Sequence, residues 1–175
     1  MKFGKILGAT LLLAVMGTSS TAQVSSNQVA TKTAWSVFVE NNPTECWAVA
    51  APSKTVNTRG GRVVTVSRSD ILLFTIYRPS ANVKGQVAFT GGYSFRNNSE
   101  VSLKVGTQTF SLMTDGEWSW PKTAEDDAKI VNAMKRGNNA TLVGVSQRSG
   151  TTTTDTFSLQ GYTAAVNDAA KRCSS

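Results

Sequence analysis

Trp35-Ser36-Val37-Phe38-Val39-Glu40, then Asn41-Asn42-Pro43, then Cys46-Trp47-Ala48-Val49-Ala50: this stretch decides the fold. In its first run Trp35, Val37 and Val39 alternate with Ser36, Phe38 and Glu40. That period of two is the mark of a strand with one buried face. The Asn-Asn-Pro turn reverses the chain, and the second run, rich in apolar residues, reads as the partner strand.

Working outward, Arg59-Gly60-Gly61-Arg62 predicts a hairpin turn, since paired glycines accept the positive φ that tight turns need. Val63 to Val66 should continue as a strand beyond it. Ile71 to Tyr77 is apolar on both faces and predicts a central, doubly covered strand that Pro79 ends. Further strands follow at Gln86–Thr90, at the alternating Val101, Leu103 and Val105, and at Phe110 and Leu112. Leu142–Val145 and Thr154–Leu159 read as a last hairpin.

Two helices complete the pattern. Thr123 caps the first, with Glu125, Asp126 and Asp127 in its opening turn and Lys135-Arg136-Gly137 at its close, a charge order that suits the helix dipole. Gly161 to Cys173, rich in Ala, is the second. About eight short strands with two short helices predict a mainly β fold, a β-sandwich or partly open barrel. A single domain over 34–175 is expected, after a polar, flexible leader at 23–33.

The first 22 residues read as an export signal. Lys2 and Lys5 give a positive start, Ile6 to Met16 an apolar core, and Ser20-Thr21-Ala22 the small residues of a cleavage site. The apolar run falls short of the roughly 20 residues that cross a bilayer, and no later segment reaches that length. A transmembrane segment is therefore not expected after cleavage. The expected location is the periplasm, the outer surface or the medium.

The chain carries 18 basic and 11 acidic side chains. Losing Lys2 and Lys5 leaves 16 against 11, a net charge of +5. That balance is too mild for a nucleic-acid binder, and export argues against such a partner. Anionic lipids, glycans or an envelope protein are the expected neighbours. Cys46 and Cys173 are the only cysteines. In an oxidising compartment such a pair is expected to form one disulfide, two free buried thiols being the alternative.

Chemistry is harder to find. With no histidine in the chain, Ser-His-Asp and Cys-His sets are excluded, along with the commonest zinc ligand. Glu125, Asp126 and Asp127 are explained by the helix start, and Gly60-Gly61 and Gly91-Gly92 by turns. No catalytic residue, metal or cofactor is expected. An envelope hydrolase using carboxylates, Glu117 among them, or a Ser-Lys pair is the alternative. Two features invite binding. Trp118 and Trp120 flank Ser119 in an extended segment, so both point to one side, where they could stack on sugars or anchor a partner. Arg59, Arg62 and Arg68 surround the hairpin and could meet acidic groups. Sheet-edge packing and a solvated hairpin face are the plainer readings.

Three groups of residues carry a family likeness: Trp35 to Glu40 followed by Glu45-Cys46-Trp47, Phe89-Thr90-Gly91-Gly92-Tyr93, and Asp155 to Ala165. On these, from Trp35 to Cys173, the chain resembles the invasion associated locus B family of alphaproteobacterial exported proteins. The resemblance implies an envelope or periplasmic protein, linked in some pathogens to invasion of host cells, and brings no catalytic residues. Where many members have a cysteine at the end of the first strand, this chain has Val39. Where others have a cysteine pair, it has Trp118 and Trp120. The resemblance thus implies a rearranged disulfide, Cys46 with Cys173.

Overall fold

The computed structural model describes residues 27–174. The signal expected at 1–22 and the first part of the leader lie outside the described residues.

The leader expectation fails over its last residues. Gln28–Lys32 is a strand, β1, antiparallel to Trp35–Asn41 (β2), with Lys32 opposite Trp35. Its polar sequence gives little apolar signal, but the backbone of β2 supplies the hydrogen-bonding partners that make it an edge strand. β2 turns into Thr44–Ala50 (β3), with Val37 opposite Ala48 and Phe38 opposite Trp47. Lys54–Arg59 (β4) and Arg62–Val63 (β5) form the Gly60-Gly61 hairpin, where both glycines have positive φ. The strand expected to run to Val66 therefore stops at Val63. Beyond it the chain turns inward to deliver Arg68 to the interior.

The remaining elements are Leu72–Arg78 (β6), Val83–Thr90 (β7), Glu100–Val105 (β8), Gln108–Asp115 (β9) and Trp118–Trp120 (β10). Ala124–Arg136 (α1), Asn139–Val145 (β11), Thr152–Ser158 (β12) and Tyr162–Arg172 (α2) follow. Among the described residues all pairings are antiparallel, in one open sheet of twelve strands ordered β1-β2-β3-β6-β7-β10-β9-β8-β11-β12-β4-β5. The mainly β class and the two helices are as expected, and the strands are more numerous.

The sheet is strongly curled. β7 and β12 are five strands apart in the order, which in a flat sheet would separate them by about 24 Å. Yet Phe89 of β7 and Phe157 of β12 meet edge to face, with ring centroids 6.1 Å apart. The ends also approach one another, since Trp35 Nε1 donates to the Ser158 carbonyl at 2.9 Å. The concave side holds the core, including Leu73, Val87, Phe89, Leu103, Leu142 and Phe157.

α2 plugs the concave side. Tyr162, Ala165, Val166 and Ala169 are its buried residues. The Tyr162 ring packs edge-on to Trp35 at 4.7 Å, and its hydroxyl shares a hydrogen bond of 2.9 Å with Thr75 Oγ1. Cys173, just past the helix, is joined to Cys46 of β3 by a disulfide. α1 begins as its sequence predicts, with Thr123 Oγ1 accepting from the Asp126 N–H, and buries Ile130, Ala133 and Met134.

Candidate functional site

The three arginines of the hairpin part company. Arg59 and Arg62 stand opposite each other across the turn, and both are exposed. Arg59 donates from Nε and Nη2 to Thr151 Oγ1 at 3.1 and 2.8 Å. Arg68 faces inward and its side chain is only 6% exposed, so it drops out of any solvent-facing contact set. Its Nη1 and Nη2 donate to the two oxygens of Asp155, which is fully buried. Its Nε donates to the Gly91 carbonyl at 2.8 Å, and its guanidinium lies 5.2 Å from the centre of the Tyr93 ring. A charge this deep is tolerated because it is paired and each face is used. The missed partner had a signal: in β12, Asp155 falls between Thr153 and Phe157 on the inward side, where an acid requires a buried cation.

Trp118 and Trp120 do share a face. Ser119 between them is fully buried, so both indoles project from the convex side. Trp118 is 45% exposed and tilts over Phe74 with centroids 5.7 Å apart. The same convex side carries Phe38 and Trp47, stacked in parallel at 5.6 Å, with Trp47 opposite Ile76. The result is an aromatic surface running over β2, β3, β6 and β10. Phe38 was the one large apolar residue on the polar side of the deciding strand, and that departure from alternation was its signal.

Beside Trp120 the sheet opens. β10 pairs with β7 at Trp118–Thr90 and Ser119–Phe89, and continuing that register sets Pro121 against Val87. Proline has no N–H and cannot extend the ladder. Instead Asp127 reaches from the first turn of α1, and its Oδ1 accepts the Val87 N–H at 2.7 Å. The interruption leaves a cleft of about 540 Å³, with Asn82, Lys84, Gln86, Trp120, Lys122 and Asp127 among its walls. Burial pushes the Asp127 carboxyl up to about 6, against the opposing pull of the Val87 N–H and with a smaller push from the charge of Asp126. Asp126 itself is held below the usual carboxylate range, chiefly by its bond with Lys129 and then by that with Thr123. The acids of α1 thus serve a helix start and a strand edge. Among the described residues no group of three or more His, Cys, Asp or Glu could hold a metal ion.

The family model described as "Invasion associated locus B (IalB) protein" matches residues 35–170. The chain belongs to the IalB family. Among solved structures it is similar to invasion associated protein b from Bartonella henselae, with a TM-score of 0.56 and 16% identity. That likeness covers 83% of this chain and 98% of the other, and at such low identity it is a likeness of fold. No curated protein matches the chain in sequence. The IalB match begins at Trp35, the inward anchor of β2, and ends within α2, so it takes in both the aromatic surface and the cleft.

Proposed function

We propose that this IalB protein is exported by a cleavable signal at 1–22 and works at the cell envelope by binding, not by catalysing a reaction. The observation that carries the reading is the convex aromatic surface, with Trp118 set on Phe74 and still 45% exposed. Large apolar side chains held open to solvent by a rigid sheet mark interaction sites more often than chance. The Cys46–Cys173 bond suits an oxidising compartment. Among the described residues no helix is long and apolar enough to cross a membrane. The occupant of the surface in this reading is an envelope protein, with Arg59 and Arg62 as a second contact. The family description as invasion associated is consistent with a partner at the cell boundary. A hydrolase is not favoured, because Asp126 and one oxygen of Asp127 are engaged in hydrogen bonds of the fold and no second carboxylate among the described residues is paired with Asp127 on the cleft.

The test is cross-linking in intact cells with a tagged protein, followed by mass spectrometry of what is captured. One envelope protein should be enriched and should be lost with Trp118→Ala, with a smaller loss for Arg59→Gln and Arg62→Gln together. Capture that is unspecific, or indifferent to Trp118, would defeat the reading.

A further inference from the structure

The cleft beside β10 differs from the convex surface in shape and chemistry. We infer that it is a binding site for an acidic saccharide, a sugar ring bearing a carboxylate or phosphate, which stacks on Trp120 and is gripped by Lys84 and Lys122. The inference rests on the reading of the chain as a binding protein and gives it a small-ligand class.

The room is right: about 540 Å³ lies within the range of roughly 300–1,000 Å³ usual for small-molecule sites. The wall is right as well. Trp118 leans on Phe74 and belongs to the convex surface, whereas no aromatic ring packs on Trp120 among the described residues, which leaves an indole on the cleft for the apolar face of a sugar. Buried Pro121 continues that apolar wall.

The charges come from two separate elements, Lys84 from β7 and Lys122 from the link between β10 and α1. Neither forms a salt bridge among the described residues, whereas Lys32, Lys129, Arg68, Arg78 and Arg172 all do. Two ammonium groups without a salt-bridge partner outnumber the one carboxylate of the cleft, Asp127, and so favour an anion, to which charge-assisted bonds are the strong ones. The remaining polar groups suit hydroxyls. Asn82 and Gln86 offer donors and acceptors. Asp127 spends Oδ1 on Val87, and its other oxygen can accept from a sugar hydroxyl. The break in the sheet at Pro121 thus creates a place where backbone pairing gives way to side chains.

The test uses the disulfide-bonded protein and a panel of immobilised oligosaccharides, acidic (uronate, sialate, sulfated, phosphorylated) and neutral. Saturable binding confined to acidic members is expected, weakened about tenfold by Lys84→Gln or Lys122→Gln, as for loss of one charged hydrogen bond. Trp120→Ala should abolish it and Trp118→Ala should leave it unchanged. A parallel arm with vesicles carrying an acidic glycolipid separates a lipid-linked source from a free glycan. Binding to no acidic member overturns the inference, as does equal binding to neutral ones, binding indifferent to the lysines, or binding to plain phosphatidylglycerol vesicles alone. Failure on the panel with Trp118-dependent capture intact would remove the cleft and leave the protein-binding reading standing. The lysine substitutions lie at exposed positions, so thermal unfolding of those variants should match the parent and keep the readout one of binding.

Discussion

Arg68 and Asp155 form a two-pronged ion pair inside the sheet, closing a span of 87 residues between a loop and the strand β12. Asn57 and Gly91 take further guanidinium donors, so the pair also ties β4 to the end of β7. Removing only the cation would leave the buried Asp155 carboxyl without its ion-pair partner. Arg68→Ala should therefore cost about 3–5 kcal/mol, as for other broken buried pairs. Urea unfolding of the variant at neutral pH checks this. A much smaller loss would mean that water reaches Asp155.

The disulfide between Cys46 and Cys173 closes a loop with a sequence separation of 127. On the chain-entropy account a loop of this size is worth at most about 4–5 kcal/mol. Replacing both cysteines by Ser should lower the melting temperature substantially. The same treatment should free α2 to exchange its amide hydrogens faster than the strands of the core, since the bond is its covalent tether to β3.

Asp127 makes stability depend on pH in a particular direction. Its pKa rises from the ordinary 3.8 to about 6 in the folded protein. The folded state therefore holds this proton more tightly than the unfolded chain. The associated stability is complete below about 4 and is lost as pH rises through 6. Asp127→Asn can still accept from Val87 and should flatten that slope. Because the group is half exposed, the gain at pH 8 should be about 1 kcal/mol after allowance for solvent screening. Denaturant titrations at pH 5 and pH 8 for both proteins measure it, and parallel slopes would contradict it.

Gly161, at the N-cap of α2, has φ of 86° and sits against the Lys32 carbonyl, where a Cβ would collide with backbone. Gly161→Ala should destabilise by more than about 1 kcal/mol through left-handed strain and displacement of β1. Faster amide exchange in both β1 and α2 is the expected signature. Change confined to α2 would show that the contact with β1 yields without cost.

Legibility in the sequence followed the strength of the apolar signal. The strands β2, β3, β6, β8 and β12 were visible because their inward residues alternate or run together, and α1 because cap, acids and closing bases all agree. β1 and β4, QVATK and KTVNTR, were hidden, since edge and polar strands are held by neighbours' backbone groups rather than by burial of their own side chains. Trp118 and Trp120 were correctly given one side, because one residue between them decides it. Their separation into an open surface and a cleft was not legible, for it depends on Pro121 meeting β7, a strand some thirty positions earlier. The fate of Arg68 was hidden in the same way: its partner is distant in sequence and its neighbours look like a loop.

The cross-link has a consequence for the order of events in synthesis. Cys173 follows every strand of the sheet, while Cys46 lies in the third. A chain threading through a membrane pore, or leaving a ribosome, presents the first thiol long before the second exists outside. Cys46 must wait, unpartnered, until the twelve strands and two helices of the described residues have emerged. The bond is thus made only after the strands of the sheet have emerged, so it secures their arrangement rather than guiding it, and oxidised protein is, in effect, a count of chains in which α2 has reached β3.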